Sequence, residues 1–147
     1  MLVFISPKFG KHKPVSTLPP LGIMYLSSFL NKYNIKTRII DGSAEELSID
    51  EVIRIVKKEN PEYVGISMMT CQVYDGIKIA EGIKKVCRKT LIVGGGSHIS
   101  ATKEELFKFT DSFDFLVYGE GEETLYELLI CKKKGLYLDC VIRRMTE

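Results

Sequence analysis

Residues 91–98 read LIVGGGSH, and this stretch decides the fold. The apolar run Leu91-Ile92-Val93 ends at three consecutive glycines, after which the sequence turns polar. Short continuous apolar runs are typical of strands that are buried on both faces, as in a parallel sheet. Three glycines exceed what a strand-to-helix turn needs, and glycine lets a backbone lie close to a ligand. The stretch therefore predicts a buried parallel strand with a ligand-binding loop at its carboxyl end.

Apolar runs alternate with helical patterns along the rest of the chain. The predicted strands are residues 2–5, 37–40, 63–68, 91–93 and 113–118, with a final strand or hairpin at 136–142. The predicted helices lie at about 21–33, 49–60, 74–88, 102–109 and 122–132. Parallel neighbours need crossovers of this length, and such crossovers are nearly always right-handed. The expected fold class is α/β, a doubly wound five-stranded parallel sheet with helices on both faces.

Two helix starts carry the spacing of a capping box, in which a hydroxyl and a carboxylate three residues apart satisfy each other's backbone amides. These pairs are Ser48 with Glu51 and Thr102 with Glu105. We expect both to begin a helix.

Composition narrows the range of partners and compartments. The chain has 147 residues, the size of one domain, and a net charge of +2 from 21 basic and 19 acidic residues. That charge is too small to indicate a nucleic-acid or membrane partner, and no apolar stretch approaches the roughly 20 residues that cross a bilayer. The cysteines form no Cys-x-x-Cys pair, so we expect free thiols in a reducing cytoplasm. They are Cys71, Cys87, Cys131 and Cys140.

Small and polar residues concentrate just after the predicted strands. In a doubly wound sheet these positions share one edge, and ligands bind there in the crevice where the strand order reverses. The candidate lining residues are Ser67, Thr70, Gly94, Gly95, Gly96, Gly119 and Glu120, with Pro19, Pro20 and His98 as second choices.

The glycine-rich loops do not match the common nucleotide motifs. The Walker pattern is absent, and the GEGEE segment at residues 119–123 begins a dinucleotide fingerprint but has Thr124 at its third glycine position. Its carboxylates would also repel a pyrophosphate at the helix start. Neither His12 nor His98 has a Cys, Asp or Glu at metal-ligand spacing, so no metal site is expected. No residue is predicted to act as a catalytic acid, base or nucleophile.

Five segments together resemble the cobalamin-binding domain at the front of many radical S-adenosylmethionine enzymes. They are PPLGIMYL at residues 19–26, IID at 39–41, VGIS at 64–67, IVGGGSH at 92–98 and YGEGEET at 118–124. The resemblance covers about residues 2–131. It implies a flavodoxin-like, Rossmann-like fold with a corrinoid at the carboxyl edge of the sheet and its nucleotide tail beside strands three and four. It also implies that Ser67 and the Gly94-Gly95 pair contact that tail.

Two departures from the wider cobalamin family qualify this expectation. The D-x-H-x-x-G motif, whose His ligates cobalt, is replaced by SPKFGKH at residues 6–12, so the cobalt is expected without a protein imidazole. The C-x-x-x-C-x-x-C motif is absent, and these cysteines cannot hold an iron–sulfur cluster. Residues 1–131 are therefore expected to form the cobalamin-binding domain. Residues 132–147 would be an extension or the start of a linker to a radical domain.

The sequence thus predicts a corrinoid-binding module that cannot perform radical chemistry alone. It would serve a radical S-adenosylmethionine domain, either missing in cis or present in trans, in methyl transfer or rearrangement. Two alternatives stay open: a docking domain with the same fold and no cofactor, and a small stand-alone enzyme on a flavodoxin-like scaffold.

Overall fold

The computed structural model describes residues 1–9, 18–130 and 141–143 of the chain. The strands in these residues are β1 (Leu2–Ser6), β2 (Thr37–Asp41), β3 (Tyr63–Ser67), β4 (Leu91–Gly95), β5 (Phe115–Val117) and β6 (Val141–Arg143). The α-helices are α1 (Leu21–Asn31), α2 (Ile49–Glu59), α3 (Val73–Val86), α4 (Ser97–Thr102) and α5 (Glu122–Ile130). Two 3₁₀ helices, Thr70–Gln72 and Lys103–Lys108, precede α3 and follow α4.

The strands form one sheet in the order β2-β1-β3-β4-β5-β6. The first five are parallel, which confirms the predicted doubly wound sheet, and β6 pairs antiparallel with β5. This last strand corresponds to the end of the segment expected at residues 136–142, and residues 136–140 lie outside the described part. The chain reverses its direction of travel across the sheet between β1 and β3. Folds of this order open a ligand crevice at the carboxyl ends of those strands.

Helices cover both faces of the sheet, and each face has its own core. This double cover explains why β1 and β3 read as continuous apolar runs. On one face α2, α3 and α4 pack on inward residues such as Ile5, Ile66 and Ile92. On the other face α1 and α5 pack on a second cluster of buried side chains. That cluster contains Leu2, Phe4, Ile23, Leu30, Tyr63, Val93, Val117 and Leu125.

The capping box at the start of α2 is confirmed. The backbone amide of Glu51 donates to the Ser48 hydroxyl at 3.3 Å, and the amide of Ser48 donates to the Glu51 carboxylate at 2.8 Å. Hydrogen bonds from the Ser48 hydroxyl, and then from its amide, hold the pKa of Glu51 below its ordinary value of 4.5. The first turn of α2 is therefore stabilised by an ionised carboxylate at the positive end of the helix dipole.

The second predicted capping box is wrong. Thr102 ends α4 and precedes the 3₁₀ helix Lys103–Lys108, but its hydroxyl donates to the carbonyl of His98 at 2.9 Å and makes no cap hydrogen bond. A helix thus follows Thr102 as expected, in 3₁₀ form, and α4 adds a helical turn that starts at Ser97, directly after the glycines. Strand β4 also continues to Gly95, two residues beyond its predicted end at Val93.

Several other predictions fall partly or wholly outside the described residues. They include the boundary at residue 131, the histidine at position 12 and the cysteines at 131 and 140. Within the described part, Cys71 is an exposed free thiol and Cys87 a buried one. None of the described helices has the length and apolar character needed to cross a bilayer.

Candidate functional site

A groove opens on the α1/α5 side of the sheet, at the carboxyl ends of β1, β3, β4 and β5. Its volume is about 190 Å³. The lining residues are Phe4, Gly22, Ile23, Leu26, Gly65, Ile66, Ser67, Val93, Gly94, Gly95, Gly96, Val117, Gly119, Glu120, Gly121, Glu122 and Leu125. Six of the ten predicted site residues therefore lie in one cavity: Ser67, Gly94, Gly95, Gly96, Gly119 and Glu120.

The groove exists because small residues alternate along one face of β3 and β4. Ser67 pairs in register with Gly95, and Gly65 pairs with Val93, so these positions project to the same side. A Cβ atom at Gly65 would lie 2.9 Å from the ring of Phe4, which fills that space. Among the described residues, a Cβ atom at Gly95 would meet only the carbonyl oxygen of Val117, at 3.6 Å. The described part of the chain therefore leaves the space above Gly95 open, within the groove.

Gly96 is required by the backbone itself. Its φ is +98°, which side-chain-bearing residues rarely adopt, and a Cβ atom would lie 2.7 Å from the backbone nitrogen and oxygen of Met68. The residues on either side of Gly96 are hydrogen-bonded to Met68: the amide of Met68 donates to the carbonyl of Gly95 at 2.9 Å, and the amide of His98 donates to the carbonyl of Met68 at 3.1 Å. These bonds fix the glycine loop against the end of β3.

Gly94 faces the core on the other side of the sheet, under α2, α3 and α4. A Cβ atom there would lie 2.7 Å from Leu116 and 3.1 Å from Phe113, both buried on the α2/α3/α4 face. Gly94 contributes only backbone to the groove. The expectation that both glycines of the pair clear space on the ligand side is therefore corrected for Gly94, and of the pair only Gly95 has its Cα hydrogens on the groove side.

The loop after β5 forms the rim. Gly119 has a φ of +72°, and its amide donates to the hydroxyl of Ser100 in α4 at 3.1 Å. Glu120 is exposed, and Glu122, the first residue of α5, is half-buried. Two carboxylates thus stand at the mouth of a groove whose walls are mostly apolar.

The other four predicted residues lie outside this lining. Thr70 and His98 contact each other, with 3.2 Å between the Thr70 hydroxyl and His98 Nδ1. They stand at the start of a 3₁₀ helix and in the first turn of α4, on the same edge of the sheet. Pro19 is exposed and Pro20 half-buried, immediately before α1.

The sequence analysis missed the wall that the helices provide. Gly22, Ile23 and Leu26 of α1 face Leu125 of α5 across the groove. The spacing of Ile23 and Leu26 indicates a buried helix face, but periodicity does not reveal that α1 and α5 together line one groove. The available signal was Gly22, where a Cβ atom would have nothing within 4 Å.

Polar side chains near the carboxyl ends of β1, β2 and β3 are hydrogen-bonded to the backbone. The Gln72 side chain, 2% exposed, donates to the carbonyl of Pro7 and accepts from the amide of Met69 at 3.0 Å, which ties the loop after β1 to the loop after β3. The Asp41 carboxylate accepts from Ser43 at 3.0 Å and from the next amide at 3.1 Å. Among the described residues, no three His, Cys, Asp or Glu side chains could hold a metal ion.

The strand order and the groove define a flavodoxin-like domain with a cavity at the carboxyl edge of its 2-1-3-4-5 parallel strands, where folds of this class bind their ligands. The family model for the B12 binding domain matches residues 7–129, and the chain belongs to that family. The family carries the name of the cofactor predicted from the sequence.

Curated relatives place the domain within longer proteins. The chain is 35% identical over 144 residues to an uncharacterized methyltransferase of Pyrococcus horikoshii, covering 97% of this chain and 31% of the relative. It is 25% identical over 140 residues to the anaerobic magnesium-protoporphyrin IX monomethyl ester cyclase of Rubrivivax gelatinosus, covering 93% and 25%. The chain thus spans about a third or less of the length of these relatives.

Solved structures share the fold. The radical S-adenosylmethionine methyltransferase TsrM of Kitasatospora setae, solved with cobalamin and a 4Fe–4S cluster, superposes with a TM-score of 0.80 at 18% identity, over 98% of this chain and 29% of that one. The cobalamin-dependent radical enzyme OxsB, solved with aqua-cobalamin and S-adenosylmethionine, gives 0.78 at 24% identity, over 95% and 20%. With the family match, these confirm the resemblance to the cobalamin-binding domain of radical S-adenosylmethionine enzymes.

Proposed function

We propose that this domain binds cobalamin with its nucleotide tail in the groove and presents the corrin ring to a radical S-adenosylmethionine domain. The observation that carries the proposal is the open space above Gly95, beside Ser67, on the face between α1 and α5. Family membership and the cobalamin-dependent structural neighbours support it.

The residues fit the tail rather than the whole cofactor. Pockets that enclose an entire small ligand measure about 300–1,000 Å³, and this groove, at about 190 Å³, is smaller. A flat base would fill it, while the corrin ring would lie outside on the loops after the strands. Gly95 provides the clearance, Gly96 keeps the loop tight, and the Ser67 hydroxyl can bond a polar atom of the tail.

Bound cobalamin supplies the cobalt chemistry of methyl transfer or rearrangement. The residues of this chain bind and orient: the apolar walls exclude water from the tail, and the bonded loops fix the edge on which the ring rests. We assign the radical step to a separate domain, in cis or in trans, because the relatives are about three times longer.

A second candidate is a docking domain without cofactor. Leu21, Met24 and Tyr25 at the start of α1 are 68%, 45% and 73% exposed, and their i, i+3, i+4 spacing places them on one stripe. This stripe adjoins Gly22 at the groove wall, and exposed apolar patches often mark protein contacts.

Equilibrium dialysis of the purified chain against hydroxocobalamin separates the two candidates. The proposal predicts saturable uptake of one corrinoid per chain. No uptake at high micromolar cobalamin, from protein with a cooperative thermal unfolding transition, would favour the docking domain.

A further inference from the structure

We infer that the groove selects corrinoids by the base of their nucleotide tail, taking an apolar benzimidazole and rejecting a purine. The inference rests on the proposed function, because it concerns the cofactor that the groove would hold. Corrinoids that differ only in this base offer the protein the same ring and the same side-chain amides. Adenine is the weaker cobalt ligand and leaves the metal more easily, so a preference for dimethylbenzimidazole must come from the groove.

The inner part of the groove has apolar walls. Phe4, Val93, Val117 and Leu125 line it and are 3%, 4%, 8% and 4% exposed. The strand residues among them have backbone amides and carbonyls that face neighbouring strands in the sheet, Val93 between β3 and β5 and Val117 beside β6. A ligand atom among these side chains has few hydrogen-bonding partners within the groove.

Polar side chains in the lining are few and peripheral. Among the described lining residues they are Ser67, Glu120 and Glu122. Ser67 is the last residue of β3, and the two glutamates belong to the rim, where Glu120 is exposed and Glu122 half-buried. One hydroxyl is thus the polar side chain that the strands offer to an inserted base.

Dimethylbenzimidazole and adenine differ in the number of polar atoms that they would place against this lining. The ribose is attached to the five-membered ring of either base, so the six-membered ring is the free end that enters a closed groove. In dimethylbenzimidazole this ring is hydrocarbon, and the imidazole nitrogen released from cobalt is a single acceptor that one hydroxyl can satisfy. In adenine the same ring carries two further nitrogens and an amino group. A buried polar atom without a partner costs about a factor of ten in affinity, or more.

The experiment compares three corrinoids on the whole chain by visible-absorbance titration. They are hydroxocobalamin, its adenine-base counterpart and cobinamide, which has no nucleotide tail. We expect the adenine compound to bind at least about 10-fold more weakly than hydroxocobalamin, and cobinamide to bind more weakly than hydroxocobalamin as well.

A variant pair ties the preference to the groove. Val117→Thr is nearly isosteric and adds a hydroxyl to the wall, so it should narrow the ratio of the two dissociation constants at least about threefold. Val86→Thr makes the same change at a 42% exposed position on α3, and it should leave the ratio unchanged.

The outcomes separate the inference from the proposed function. Equal affinity for the two base-bearing corrinoids, within about threefold of each other, overturns the inference while corrinoid binding stands. Equal affinity for all three shows that the groove does not hold the base. Binding of none of the three overturns the proposed function, and the inference falls with it.

Discussion

Replacement of Gly95 by leucine should weaken cobalamin binding by nearly two orders of magnitude without unfolding the domain. The fold tolerates the change because a Cβ atom at Gly95 meets only the Val117 carbonyl oxygen, at 3.6 Å, and the φ of Gly95 is not positive. Four added carbon atoms, each about as large as a water at roughly 30 Å³, would occupy more than half of the groove of about 190 Å³.

The magnitude follows from the contact that the base would lose. Exclusion of a bicyclic base removes on the order of 100 Å² of apolar contact, about 2.5 kcal/mol, which corresponds to about a 70-fold rise in Kd. The assay is titration of purified wild type and Gly95→Leu with hydroxocobalamin, with thermal unfolding recorded for each. Gly95→Ala, whose Cβ has room, should weaken binding much less.

Two controls separate binding from folding. Lys57→Leu adds the same side chain to an exposed position on α2, on the other side of the sheet, and should change neither property. Gly94→Ala should destabilise the fold by about 1–3 kcal/mol, because its Cβ would lie 2.7 Å from Leu116. A Gly95→Leu protein that unfolds like wild type and binds cobalamin with wild-type affinity would refute the placement of the ligand.

Two further predictions concern stability. The Asp114 carboxylate accepts hydrogen bonds from Lys84 at 2.7 Å and from the amide of Ile92 at 2.6 Å, and so joins α3, β4 and the segment before β5. Asp114→Ala should therefore lower the free energy of unfolding, measured in urea, by about 1–3 kcal/mol. An unchanged free energy of unfolding would contradict the role given to these bonds. Ser48→Ala should lower the melting temperature by about 2–4 °C at pH 7. The folded pKa of Glu51 lies below 4.5, so the stabilisation linked to its charge is present above that pH and is lost as the pH falls through the lowered value. The Ser48→Ala effect should accordingly shrink as the pH is lowered through the depressed pKa of Glu51, and an effect that stays constant after Glu51 has been protonated would contradict the Glu51 assignment.

Local patterns predicted the fold well where one signal dominated. The apolar runs of β1 and β3 and the box at Ser48 and Glu51 were sufficient, because burial on both faces and a reciprocal cap leave few alternatives. The box at Thr102 and Glu105 failed because α4 ends at Thr102, whose hydroxyl bonds back to the carbonyl of His98 and does not cap the 3₁₀ helix that follows.

The site was only half predictable from sequence. Its sheet side follows from the rule that ligands bind at the carboxyl edge, which brought Ser67, Gly95 and Gly96 together. Its helix side, with Gly22 and Leu125, depends on how α1 and α5 pack beside each other on the sheet, and no local pattern in the sequence specifies that packing.

The different roles of Gly94 and Gly95 follow from strand alternation. Adjacent residues of a strand face opposite sides, so one glycine of the pair relieves the core at Leu116 and the other opens the groove. The sequence pattern marks both as small, and only the sheet register shows which one faces the groove.

The visible spectrum of hydroxocobalamin, recorded as the purified chain is added, tests the central claim most directly. If the groove takes the nucleotide tail, its base must leave the cobalt. The spectrum should then shift, with saturation at one equivalent, to the form that lacks its own base as lower ligand. Saturable binding with the base still on cobalt, or no spectral change at all, would contradict the account.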